Sequence, residues 1–162
     1  MPTGSTPAQL FAAACDHARR GAMLATVDAL VGWDERTMMP AAAGAWRADQ
    51  AAELAAVVHR HRTDRAQGER LEALAAGPLV TAGSPAEQAT IRLLKHDFDK
   101  QARLPPRLVA ELARTTVEAQ QAWVTARAES SWPQLEPWLE KVFAIKREQA
   151  TCQRPDLDPY DA

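Results

Sequence analysis

Cysteine is scarce in this sequence. The two present, Cys15 and Cys152, stand near opposite ends of the chain, which excludes both a disulfide framework and a paired-thiol metal site. They read as reduced thiols, with a single bridge between them as the alternative. Glycine is sparse too, seven residues in 162, and no stretch shows the β-branched, period-two alternation of a strand, so sheet-rich folds drop out. No apolar run approaches the ~18 residues of a membrane span, and the start, MPTGSTPAQLFAAACDHARR, has no basic segment ahead of an apolar core. A membrane is therefore not expected as a partner, and the expected compartment is the cytoplasm. Nor is either sign of charge in excess: 19 basic residues against 21 acidic give a formal net charge of -2. Such a chain lacks the field that gathers nucleic acid, which is not an expected partner either.

What is abundant is alanine and helical periodicity. With 46% hydrophobic and 25% charged residues, the chain reads as one domain over 1–162, an all-α bundle of about six antiparallel helices. Thr6-Pro7-Ala8-Gln9 joins an N-cap, a first-turn proline and a capping-box glutamine, so the first helix is expected over 7–32. Its stripe of Leu10, Phe11, Ala14, Ala18, Ala22, Ala25 and Ala29 is mostly small and suits close helix approach. Trp33 to Pro40 is expected as a connection, because proline disfavours helix in the residue before it. The second helix, 41–61, places Ala43, Leu54, Val57 and Val58 on one face together with Arg47, Gln50 and His61. A short helix over 64–76 stops at Gly77-Pro78, and LVTAGS is expected as a loop. Ser84-Pro85-Ala86-Glu87 repeats the cap signature and opens 85–102. Helix 106–130 stacks Leu108, Val109, Leu112, Thr116, Ala119, Trp123 and Ala126. Ser131 to Gln134 is expected as a turn, Pro137 as part of a first turn, and 135–151 as the last helix.

Candidate chemistry is thin. A helix-borne zinc peptidase needs two histidines four residues apart with a glutamate between them to activate water. His-Glu-x-x-His does not occur among the four histidines, His17, His59, His61 and His96. His59 and His61 on one helix point their rings about 200° apart and read as surface or partly paired groups. Asp34-Glu35 is read as solvated or arginine-paired, and Asp97 and Asp99, with Arg92, Lys95 and Lys100 around them, as a solvated charged face. Five tryptophans outnumber the single tyrosine. Trp123 and Trp138 fall on apolar stripes and read as core, whereas Trp46 and Trp132 are candidate interface residues.

The stretch LVGWDERTMMPAAAGAWRADQ, Leu30 to Gln50, carries a Trp-Asp-x-x-Thr-x-Met-Pro pattern in Trp33, Asp34, Thr37, Met39 and Pro40, followed by Arg47 and Gln50. It resembles the signature near the N-terminus of the carboxypeptidase Taq family of thermostable zinc carboxypeptidases. The resemblance continues in Leu104-Pro105, Ala122-Trp123, Ala126-Arg127, Leu139-Glu140-Lys141, Lys146-Arg147-Glu148 and Pro159-Tyr160-Asp161-Ala162. It implies a mostly helical fold with a deep groove, usually in a homodimer. It also implies that the zinc motif of the much longer family members lies in a part that would follow Ala162, so that zinc belongs to the full-length proteins and no catalytic or metal-binding residue carries over to this chain.

Two functional expectations follow. In the first, the chain is a stand-alone, non-catalytic domain of the N-terminal type, acting by self-association, as a homodimer, or as a regulatory module for a carboxypeptidase-type polypeptide. In the second, it is a fragment or subunit of an active zinc carboxypeptidase whose metal-binding part lies elsewhere. A weaker third is a peptide-binding module that keeps part of the groove. The motif itself yields a structural expectation: a guanidinium on an apolar face needs a carboxylate, so Arg47 should bridge to Asp34, with Gln50 nearby and Trp33 packed inward. The alternative is an Asp34 that caps a helix or faces water.

Overall fold

The computed structural model describes residues 4–161; the first three residues and Ala162, which ends the family-like stretch from Pro159, lie outside them. The described residues form helices and no strand. In α1, Pro7–Thr37, the Thr6 hydroxyl accepts from Gln9 N while the Gln9 side chain accepts from Thr6 N, the capping box the sequence announces. This helix runs five residues beyond the expected end, because nothing between Trp33 and Thr37 breaks it. Only at Met38 and Met39, whose N–H groups both donate to the Asp34 carbonyl at 2.9 and 3.0 Å, does Pro40 force the backbone out. The connection shrinks to Met38–Pro40 and a 3-10 turn, Ala41–Ala43, so that α2 spans Gly44–Arg62.

Helix α3, Arg65–Ala75, is capped by the Asp64 carboxylate, which accepts from Gln67 N at 3.0 Å. The expected loop LVTAGS contains a single helical turn, α4, Leu79–Ala82. The expected bounds of α5, Pro85–Ala102, agree with the structure, and its Ser84–Glu87 capping box is formed. Helix α6, Pro106–Ala128, closes two residues early. Ser130 turns left-handed (φ 51), letting Ser131 N donate to Ala126 O at 2.8 Å and Ser130 N to Arg127 O at 3.3 Å. These are the two bonds of a Schellman cap, with serine where glycine is usual. The turn expected at Ser131–Gln134 is therefore already the start of α7, Trp132–Gln153. Pro133 sits in its first turn, and Pro137 lies inside the helix. The N–H that Pro137 lacks would have paired with the Pro133 carbonyl, so only that one early bond is lost.

Cross-helix contacts fix the topology. Arg47 of α2 meets Asp34 while His61 meets His17, so α2 runs antiparallel along the second half of α1. Helix α3 continues in the same direction over the first half, where Gln67 Nε2 donates to Ala14 O. At about 1.5 Å per residue α1 is long enough to serve as the spine for both. On α3 lies α5, antiparallel, with Lys95 bridging to Glu72 at 2.9 Å. Also packed on α2 is α6, antiparallel through the Asp49–Arg114 pair, and α7 returns along α6 with Arg107 paired to Glu148 and Lys141 near Glu118.

Two buried lines differ from expectation. Packed by both α1 and α6, α2 buries Ala48, Ala51, Ala52 and His59 deeply, while Val57 of the expected face is exposed. His59 is thus an interior residue and not a surface one. Along α6 the buried positions are Leu108, Thr115, Val117 and Ala126, Val117 lying about half a turn from the other three, so this helix too is covered on more than one face, while Thr116 and Trp123 turn toward solvent.

The interior is divided. One cluster joins Ala14, Leu71, Leu74 and Ile91; a second joins Ala48, Ala51 and Val117; a third joins Leu104, Leu108 and Ile145. The accessible surface is 10301 Å², where a compact protein of this mass exposes about 8,000 Å². Layers one helix thick cover little of themselves. Cys15 and Cys152 are free thiols, not a bridge, and partial burial pushes the Cys15 thiol above its ordinary range. Among the described residues no helix is long and apolar enough to cross a membrane.

Candidate functional site

The family-like motif occupies the corner where α1 ends and α2 begins. Arg47 is its hub. Nη2 donates to Asp34 Oδ2 at 2.5 Å, Nη1 to the Val31 carbonyl at 2.7 Å, and Nε to Gln50 Oε1 at 3.0 Å. The expected Asp34–Arg47 bridge is therefore present, with Gln50 beside it. The guanidinium is 14% exposed and Asp34 40%, so the pair is desolvated on one side only. A cation against the last turns of α1 also meets the carbonyl end of that helix, where positive charge is favoured. Thr37 Oγ1 donates to the Trp33 carbonyl at 2.8 Å, the back-bond of a helical threonine to the main chain four residues earlier. Met39 is partly buried and Pro40 exposed at the turn.

Trp33 does not pack inward. It is 57% exposed, because α1 continues through it: the residue before Asp34 on a helix is rotated about 100° away, and Asp34 takes the side facing α2. Met38 is 71% exposed, and Trp46, next to Arg47, is 69% exposed. The corner is thus polar and locked within, apolar and bare without. Upstream on α1 the bare surface continues: Met23, Val27 and Leu30, at i, i+4 and i+7, are each about half exposed or more. Of the two candidate interface tryptophans, Trp46 lies at this corner, and Trp132, 57% exposed, lies at the start of α7. Trp123 is 43% exposed and Trp138 partly buried, so the expected core role fails for the first. The exposed stripe of α1 is signalled in the sequence by Leu24, Val27, Leu30 and Val31, which spread the apolar surface around the helix as if for more than one neighbour; Val27 and Leu30 are left bare.

Among the described residues, no three histidine, cysteine, aspartate or glutamate side chains converge as metal ligands. Asp97 and His96 do not face one centre with Asp99, whose carboxylate is taken by Lys95 at 2.6 Å. The Asp99 and Glu72 carboxylates together hold the Lys95 ammonium above its ordinary range. Among the described residues no zinc site is assembled.

The family model for carboxypeptidase Taq (M32) metallopeptidases matches residues 13–162. Thermostable carboxypeptidase 1 of Thermus thermophilus is 34% identical over 145 residues, covering 90% of this chain and 28% of that protein. Its Pyrococcus furiosus namesake is 30% identical over 76 residues. Among solved structures, BsuCP superposes with a TM-score of 0.81 at 21% identity, over 96% of this chain and 30% of the other, a likeness of fold. The M32 carboxypeptidase from Deinococcus radiodurans R1 gives 0.71 at 29% identity, over 94% of this chain and 30% of the other. The chain spans less than a third of the length of these relatives. With the motif corner, the helical layer and the matched residues in agreement, the chain belongs to the carboxypeptidase Taq (M32) metallopeptidase family.

Proposed function

We propose that these residues act by association and not by catalysis: they form a helical layer that docks onto a zinc-bearing polypeptide of the M32 type, with a second copy of the chain as the competing occupant. The observation that carries this reading is the surface. An excess on the order of 2,000 Å² over a compact protein, with Met23, Val27, Leu30, Trp33 and Trp46 bare, is more than the ~800 Å² that each partner of a standard stable interface buries. The alanine-rich faces inside the layer and the Arg47 clamp give it a shape of its own, so docking does not have to create the fold. A reducing compartment, the cytoplasm, suits its two free thiols.

Light scattering over a concentration series, alone and with the zinc-bearing remainder of a family member, tests this. A larger species in the mixture is the expected outcome, and a dimer of the chain alone would assign the face to self-association. A monomer in both, with no binding of an apolar-surface dye, overturns the proposal. The chain alone should release no C-terminal residue from peptides with added Zn²⁺ or Co²⁺. The second reading, a subunit of an active carboxypeptidase, is favoured by the preserved superposition on solved M32 enzymes; chelator-sensitive peptidase activity appearing only in the mixture would select it. Such activity from the chain alone defeats both.

A further inference from the structure

Away from the motif corner, α1 and α2 are joined by a second polar contact. The imidazoles of His17 and His61 are stacked, their centroids 4.0 Å apart and their planes 4° from parallel. His17 Nε2 lies 2.8 Å from the main-chain oxygen of His61, and His61 Nε2 lies 3.0 Å from that of His17. A carbonyl only accepts, so both Nε2 atoms carry the hydrogen, and each neutral ring keeps a bare Nδ1. Gly21 makes room for the pair: a Cβ there would stand 3.0 Å from Cδ2 of His61. The rings form part of the wall of an open cavity of about 370 Å³ between α1, α2, α3 and α5. Its charged groups are Arg62 from α2 and Asp97 from α5; Gln67 from α3 and Gln101 from α5 are neutral, and α1 adds no charge besides His17 itself.

We propose that this stack is a proton-operated latch between α1 and the α2–α3 corner, shut while at most one ring is charged and open once both are. One proton is tolerated. It leaves both Nε2–H donors in place, strengthens the donor on the charged ring, and sets a cation over the face of a neutral one. The His61 carbonyl, in the last turn of α2, also favours a cation. The second proton gains nothing comparable. It lands on the other Nδ1 and sets two like charges face to face, with the fixed charge of Arg62 on the same side of the balance and the single carboxylate of Asp97 against it. An opened pair, free to rotate into water, takes both protons. The open state therefore binds more protons and is favoured as pH falls. The first half of α1 stays held by Leu10, Phe11 and Ala14 in their cluster. Its second half would then keep the Arg47 clamp as its polar tie to α2. The latch goes beyond the docking reading and does not depend on it.

Amide hydrogen exchange, corrected for its intrinsic pH dependence, tests the latch in the native chain and in His17→Gln, whose amide still donates to the His61 carbonyl but takes no charge. From about pH 7.5 to about pH 5 the amides from Gly21 to Ala25 should exchange about tenfold faster in the native chain and hardly faster in the variant. Magnetic contacts between the two ring protons should vanish over the same range. Equal acceleration in both proteins, or rings still in contact at the acid end, overturns the proposal. If His17→Gln fails to fold, His61→Gln makes the same comparison, and the ring contacts need no variant.

Discussion

Replacing Arg47 by glutamine removes three donors at once, to Asp34, to the Val31 carbonyl and to Gln50, and glutamine is too short to reach back to α1. A hydrogen bond to a charged group contributes about 1.5 to 3 kcal/mol, and breaking a buried ion pair costs about 3 to 5 kcal/mol, against about 0 to 1 for an exposed one. With Arg47 14% exposed and Asp34 40%, the corner lies between those limits. Arg47→Gln should cost about 2 to 3 kcal/mol of unfolding free energy. Asp34→Asn should cost about 1 to 2 kcal/mol, because water reaches the aspartate and its carbonyl still binds Met38 and Met39. The double variant should fall short of the sum by about 1 kcal/mol. Urea unfolding followed by far-ultraviolet circular dichroism reads all four proteins. Strict additivity, within about 0.3 kcal/mol, would mean that the bridge contributes nothing and that the motif is kept for another reason.

Two further outcomes follow from the helix ends. Ser130→Gly places the residue without a Cβ at a left-handed position (φ 51) and should raise stability by about 0.5 to 1 kcal/mol; thermal melting checks this, and a lowered midpoint contradicts the Schellman reading. Glu87, whose carboxylate accepts from the Ser84 hydroxyl and amide, is held below its ordinary range by those two bonds. A lowered group contributes stability above its unfolded value and loses it as pH falls through its folded one, so the native chain should lead Glu87→Gln at neutral pH and converge with it in acid, as paired melts at several pH values would show.

The parts of the fold legible in the sequence were those written locally. Thr6 with Gln9, and Ser84 with Glu87, place two helix starts, because a capping box states which residue is the last outside the helix. Ends were less legible. α1 overran because Trp33, Asp34, Glu35, Arg36 and Thr37 are neutral toward helix and the first real breaker is Pro40. α7 began early because two prolines four residues apart cost a nascent helix little when the first needs no N–H partner and the second forfeits only the bond to that first one. Which face lies inside was harder still. A helix with one neighbour shows its core as a single stripe, but α2 has both α1 and α6 packed on it, and alanine fills the closer contact without raising the apolar signal. Gly44 leaves room for a side chain of α6, since a Cβ there would collide with the Gln121 amide.

The motif corner separates what a single sequence can and cannot disclose about a site. Arg47 on a face shared with Leu54 and Val58 makes a demand, since a buried guanidinium without a carboxylate is too costly to persist, and the demand has few nearby answers, of which Asp34 is one. Trp33 makes no such demand. An indole is stable against a core or a partner, and its direction depends on whether the backbone is helix or turn at that residue, the very boundary that local signals left open. Once α1 continues to Thr37, Asp34 and Trp33 cannot both face α2, and the charge takes the inner side because it alone has an obligate partner there. Trp33, left outside with Met38 and Trp46, is then stable only at a cost in exposed apolar area. A docked partner, as proposed, would supply the cover that neither α1 nor α2 gives it.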